Sequence, residues 1–381
     1  MRVLIVVCMM MATWLNAGEK PEITTVFEAK KETVNGHKDV PFYRYREQNI
    51  IVTNSGKVVC IVQGRNKSGW CDRSGQDLLC KISEDSGKTW SKDIMMVSHG
   101  ALSICPNAAV YDRDTNTIHV LYNLFTWPYN NRPKKIRGEL GQQKCKQFVV
   151  TSKDEGKTWS KPREISDMAD VKGATAIFGS GEGIQLKVGK NKGRLLVPGG
   201  DFYKGKKVLC YYSDDHGKTW KRSKTVPTPK DMRIASETKV AELPDGTIVL
   251  NSRSGGKRHR SFSKDGGLTW CEMEVDKQLK TIHCNAALIT YPCDKAAQKT
   301  ALLFSAPAGP KRSHGTVYIS YDGGKNWPKK TLVAPGKFAY SSLMILPDGK
   351  IGLFYEGKGY HTIELAKFSF KWLTDNAIDN K

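Results

Sequence analysis

Short apolar runs rich in Val, Ile, Leu, Tyr and Phe recur along the chain. LLCKIS, QFVVTS, VLCYYS and TVYIS each lead into a polar, glycine-containing turn. Runs of this length and composition, bounded by Asp, Ser and Gly, predict β-strands. The spacing of an amphipathic helix is weak throughout. No Gly/Pro-rich linker divides the sequence, so one all-β domain is expected.

The turns are themselves a repeat. SEDSGKTW (83–90) returns as SKDEGKTW (152–159), SDDHGKTW (213–220), SKDGGLTW (263–270) and SYDGGKNW (320–327). Ser stands first, Asp third, Gly fifth, Thr or Asn seventh and Trp eighth. The Asp can accept backbone N–H bonds across the turn, the Gly permits positive φ and the Trp folds back as an apolar plug. The first Ser residues lie 69, 61, 50 and 57 positions apart. That period suits one four-stranded propeller blade with its loops. Five such turns in 381 residues predict a six-bladed β-propeller with one blade lacking the turn.

The start of the chain, MRVLIVVCMMMATWLNAGEK, has a short basic head, an apolar run to about Leu15, then Asn16-Ala17-Gly18. It predicts a signal peptide over 1–17 and a mature domain over 18–381, secreted or periplasmic. The run falls short of the roughly 20 residues that span a bilayer. The formal charge is +22, with Lys scattered singly through turns. Two readings stand, a solvated basic surface or attraction towards anionic substrates such as acidic glycans; export argues against a nucleic-acid target. Ten Cys are present; Cys8 leaves with the signal, and the remaining nine cannot all pair. No CxxC occurs and the eight His are dispersed, so no structural zinc site is expected.

The octapeptide is identified as the Asp-box, or BNR repeat, which marks blades rather than chemistry. Four segments between the boxes resemble the sialidase (neuraminidase) family of exo-glycosidases, over essentially the whole mature chain. FYRYREQNIIVTNSGKVVCIVQGR is similar to the family's Tyr/Phe-Arg-Ile-Pro strand pair. The likeness places Arg46 as the first substrate arginine, with Arg44 as a competitor, and Arg65 as the closing one. Glu47-Gln48 stand where the family has Ile-Pro. DRSGQDLL resembles the loop bearing the general acid/base, which implies Asp72. SETKVAELPDGTIVLNSRS implies Glu237 as the partner of the nucleophile, rather than Glu242, and Arg253 as the second arginine. FSAPAGPKRSHGTVYIS implies Arg312, rather than Lys311, as the third. FAYSSLMILPDGKIGLFYE implies Tyr340 as the nucleophile and Glu356 as the brace of Arg46.

Three converging arginines suit the carboxylate on the anomeric carbon of sialic acid. That carboxylate disfavours an Asp or Glu nucleophile, and the family uses a neutral Tyr in its place. Tyr, with a pKa of about 10, then needs Glu237 as base, and nearby arginines would favour the phenolate. Asp72 would protonate the leaving oxygen and later activate water, which requires a raised pKa. Trp70, Asn107, Gln185, Phe202 and Tyr203 are candidates for reading the N-acyl and glycerol arms. FGSGEGIQL is expected to be scaffold near the pocket rim. The resemblance implies sialylated glycoproteins, glycolipids or oligosaccharides as substrates and neither metal nor cofactor. A monomer is expected, without nucleic-acid partners or membrane insertion. A trans-sialidase with the same residues, and a non-catalytic glycan-binding propeller, are the competing expectations. Strand alternation predicts that Arg46 and Glu47 face opposite sides.

Overall fold

The computed structural model describes residues 20–29, 42–65, 75–125, 145–167, 176–178, 181–201, 207–230, 232, 235–294 and 299–380. The expected strands form, in six antiparallel sheets. Blade one runs Arg44–Val52, Val58–Arg65, Gln76–Ser83 and Ile94–Val97. Blade two follows with Ser103–Asp112, Thr117–Phe125, Cys145–Ser152 and Arg163–Glu164. Blade three has its first strand in two pieces, Ala176–Phe178 and Ile184–Gln185, both paired with Leu195–Asp201. Blades four and five begin at Ala235–Glu242 and Ala287–Asp294.

Blade six is built from both ends of the chain. Ser341–Ile345, Ile351–Gly357 and Thr362–Phe368 are completed by Glu22–Glu28, with Glu22 opposite Lys367. The ring is thereby closed by hydrogen bonds. The five Asp-boxes lie on blades one to five, and blade six has none, as the repeat count predicts. One element had no signal in the strand pattern: the short helix Phe370–Asp375, whose first turn is capped by Ser369 Oγ accepting from Trp372 N–H at 3.0 Å.

Apolar residues on both faces of each sheet pack against the neighbouring blades. Ile61 and Cys80 of blade one meet Ile118 and Val120 of blade two, while Cys60 and Val62 turn the other way towards Phe354 and Ile363 of blade six. Alternation within one strand therefore serves two interfaces. Cys60, Cys80 and Cys210 are buried free thiols. Burial pushes all three above the ordinary thiol range, Cys80 to about 12, so they act as small apolar packing groups.

The box turns are as the octapeptide implies. In the first, Asp85 Oδ1 accepts N–H bonds from Lys88 and Thr89 at 3.0 and 2.8 Å, and Thr89 Oγ1 donates to Oδ2 at 2.6 Å. Ser83 Oγ accepts from Gly87 N–H at 2.8 Å. Gly87 has φ +85°, and the residue before it, Ser86, has φ +60°. Because each blade is an antiparallel meander, the boxes and the first hairpins share one end of the propeller. The loops between second and third strands share the other, upper end.

Candidate active site

At the upper end, residues from blades one, four, five and six converge on one phenol. Tyr340 immediately precedes the first strand of blade six and is 6% exposed. Its Oη donates to Glu237 Oε1. Glu237 lies at a bulge in the first strand of blade four. Arg253, on the adjacent strand, donates from Nη1 both to Glu237 Oε2 and to Tyr340 Oη, the latter at 3.2 Å. Arg46 and Arg312 lie 4.6 and 5.2 Å from the Tyr340 ring centroid. Burial, and then the charge of Glu237, push the Tyr340 phenol well above its usual value, while Arg46 and Arg253 pull the other way. The expectation that the arginines would favour the phenolate is met in sign but outweighed: Tyr340 rests here as a phenol with a carboxylate acceptor at its hydroxyl.

Of the two arginine candidates on this strand, Arg46 lies against the Tyr340 ring. Its guanidinium makes two parallel bonds to Glu356, Nε to Oε1 at 2.9 Å and Nη2 to Oε2 at 3.1 Å. The Glu356 side chain is fully buried and also accepts the N–H groups of Glu47 (3.0 Å) and Tyr340 (3.3 Å). One carboxylate thus fixes an arginine and the backbone of the tyrosine beside it. Arg44 stands further out, 5.8 Å from the Tyr360 ring. Glu242, the rival of Glu237, is at the box end, where it accepts N–H bonds from Lys187 and Val188.

Glu47 and Gln48, which replace Ile-Pro, are both buried. A bulge between Arg46 and Asn49, with Glu47 at φ +56°, breaks the alternation expected there. Arg46 and Glu47 do diverge, but Glu47 stays inside: its carboxylate accepts from Gln63 Nε2 at 3.1 Å and Arg65 Nη2 at 3.4 Å. The added acid is therefore matched by Arg65. Gln48 Nε2 donates to Tyr340 O at 2.8 Å and Phe354 O at 3.2 Å, tying blade one to the nucleophile candidate. A proline could donate neither bond.

Arg65 and Asn107 are brought beside this cluster, with Asn107 Oδ1 accepting from Gln63 Nε2 at 3.3 Å. Gln185 is not. It lies at the box end, where its amide donates to Asp112 at 2.8 Å and Asp114 at 3.0 Å and accepts from Arg113 N–H at 2.8 Å. Gln185 pairs with Leu195 beside the hairpin that joins the first two strands of blade three, which puts it at that end, so Gln185 is corrected from a pocket residue to a turn anchor. Asp72, Trp70, Phe202, Tyr203 and residues 1–17 lie outside the described residues. Tyr360, the contacts of Gln48, and the His283 carbonyl, which accepts from Arg312 Nη2 at 3.0 Å, carried no sequence signal. Among the described residues one donor set has metal-ligand spacing, Asp112, Asp114 and His216. It sits at the box end, away from Tyr340.

Residues 94–353 match the BNR repeat-like domain family. The chain is 33% identical over 365 residues to a sialidase of Micromonospora viridifaciens, covering 89% of this chain and 53% of that protein. It therefore spans about half the length of that relative. The Hadza microbial sialidase Hz136 superposes with a TM-score of 0.76 at 26% identity, over 87% of this chain and 67% of that one. An intramolecular trans-sialidase from Ruminococcus gnavus shares the fold, with a TM-score of 0.72 at 19% identity, over 86% of this chain and 95% of that one. With six blades, five Asp-boxes and these relatives, the chain belongs to the BNR repeat-like, sialidase-type family of propellers.

Proposed function

We propose that this protein is an exported exo-α-sialidase that hydrolyses terminal sialic acid from glycoconjugates, with retention through a tyrosyl-enzyme intermediate. The observation that carries this reading is the Tyr340 hydroxyl donating to Glu237 with Arg46, Arg253 and Arg312 around the same ring. Arginine forks suit a planar carboxylate. With that group held, the anomeric carbon would face Tyr340. Glu237 takes the phenol proton as Tyr340 Oη bonds to the anomeric carbon and the glycosidic bond breaks. Asp72 gives its proton to the departing oxygen. Water then attacks the same carbon, giving its proton to Asp72, and Glu237 returns a proton to the released phenolate. Fixing the sugar supplies much of the rate, since positioning removes the entropy of encounter.

The test is release of 4-methylumbelliferone from its α-sialoside by the purified protein and by Tyr340→Phe. Turnover by the wild type, with a loss of about 10²-fold or more in the variant, is expected. NMR should show the α-anomer of free sialic acid first. First release of the β-anomer would overturn retention. Absence of turnover by folded wild type between about pH 4 and 8, the range over which carboxylates and imidazoles titrate, would leave a glycan-binding propeller.

A further inference from the structure

The three arginines around Tyr340 are not equivalent. Arg46 is held by Glu356 and Arg253 by Glu237. Arg312 has no carboxylate partner among the described residues. Its guanidinium donates to two neutral oxygens, His283 O at 3.0 Å and Tyr360 Oη at 3.3 Å. Tyr360 also presents its ring to Arg46, whose guanidinium carbon lies 4.8 Å from the ring centroid. One side chain therefore touches two of the three arginines.

The backbone that delivers Tyr360 is strained. Lys358, Gly359 and Tyr360 all have positive φ, at 43°, 69° and 76°, and Tyr360 N–H closes the turn on Gly357 O at 2.8 Å. A bulky non-glycine residue rarely occupies this region. Such strain persists only where the surroundings determine it, and it concentrates at functional sites. Here the strained tip holds an aromatic ring between like-charged groups that would otherwise repel.

We propose that Tyr360 is the positioning residue of the carboxylate-binding arginines, a neutral brace that orients Arg312 beside Arg46 without neutralising it. A carboxylate at position 360 would hold Arg312 as firmly but would consume the charge a substrate carboxylate needs. A phenol and a ring face orient the guanidinium and leave its charge available. The inference rests on the sialidase reading and deepens it: Arg312 becomes the arginine with most charge left for the substrate.

The experiment compares the wild-type chain with Tyr360→Phe and Tyr360→Ala. The probes are the 2,3-didehydro derivative of sialic acid, its methyl ester, and the fluorogenic sialoside. Binding is measured by calorimetry, and melting curves confirm folding. Tyr360→Phe keeps the ring and loses one hydrogen bond, so affinity for the acid should fall about threefold to tenfold. Tyr360→Ala should weaken it further. Binding of the ester should change by less than the acid in both. KM should rise in step with the acid's Kd while kcat stays close to wild type. Unchanged acid affinity in both variants overturns the proposal, as does equal weakening of acid and ester, which would mark a packing role. If wild type binds the acid without hydrolysing the sialoside, the enzymatic reading fails and the brace is still judged on binding. If wild type does neither, both readings fall.

Discussion

Asp85, in the first box, closes its turn with bonds to residues three and four positions on. Arg46, at the other end of the same blade, reaches Glu356, 310 positions away. Tyr340 reaches Glu237 across 103 positions and Arg253 across 87. The box end is thus made of turns closed by their own local bonds, repeated on blades one to five. The upper end has no repeated unit. Blades one, four, five and six supply its side chains, and they meet only when the ring is closed by Glu22–Glu28. A lost box should therefore cost one blade some stability. A lost member of the cluster should affect several blades and the chemistry together.

The largest expected effect breaks the brace. Glu356→Gln removes the buried charge opposite Arg46 and turns one acceptor oxygen into a donor facing N–H groups. Leaving a buried cation without its partner typically costs about 3–5 kcal/mol. Urea unfolding should show a loss of that size, and kcat/KM should collapse with it. If activity fell with stability intact, the cluster would be decoupled from ring closure, contrary to the contrast drawn above.

The box counterpart is Asp85→Asn. It weakens a set of local bonds at the rim, so a loss of about 1–2 kcal/mol is expected, with kcat and KM unchanged at temperatures well below the melting point. A change in KM would show that the rim communicates with the upper end.

The same turns set an acid limit. Hydrogen bonds from Thr89 hold Asp85 down to about 2, against an unfolded value of about 3.9. At the other four boxes burial pushes Asp154, Asp215, Asp265 and Asp322 up, but their turn hydrogen bonds outweigh it and the carboxyls are lowered. A depressed folded value contributes stability that is full above the unfolded pKa and is lost as pH falls through the folded one. Stability should therefore decline from about pH 4 towards pH 2. The decline should be shallower in Asp85→Asn. An identical pH slope in that variant would remove Asp85 from the account.

The contrast also explains what could be read from the sequence. The Ser and Asp bonds that close each box lie within its own octapeptide, so five copies announced six blades and their turn geometry. Arg46, Glu237, Arg253, Arg312, Tyr340 and Glu356 were legible only through family resemblance, because nothing local distinguishes a strand Tyr that meets a base from one that packs. Tyr360 escaped notice because its partners Arg312 and Arg46 belong to other blades. Gln48 did so because its bonds run to carbonyls 292 and 306 positions away. Gln185 sits at the box end because it pairs with Leu195 beside the first hairpin of its blade, a register that its own segment does not announce. Glu47 stays buried because a single bulge, which its segment does not announce, interrupts the period-two pairing there.

The smallest expected effect pits local against long-range terms within one box. The fourth position has φ near +60° in boxes one to three, at Ser86, Glu155 and His216, whereas boxes four and five place Gly266 and Gly323 there. A residue with a Cβ is strained in that conformation by about 1–2 kcal/mol. Glu155 is retained there with contacts to the first hairpin of blade one: Ser55 Oγ donates to it at 2.5 Å, and Lys57 Nζ lies 3.5 Å away. Glu155→Ala removes those contacts and keeps the strain, while Glu155→Gly removes both. Glycine should therefore be the more stable replacement by about 1 kcal/mol, less the extra freedom it has when unfolded. Wild type should match or slightly exceed the glycine variant if the contacts with Ser55 and Lys57 offset the strain. A glycine variant clearly more stable than wild type would mean that even between adjacent blades the boxes are governed by local conformation alone.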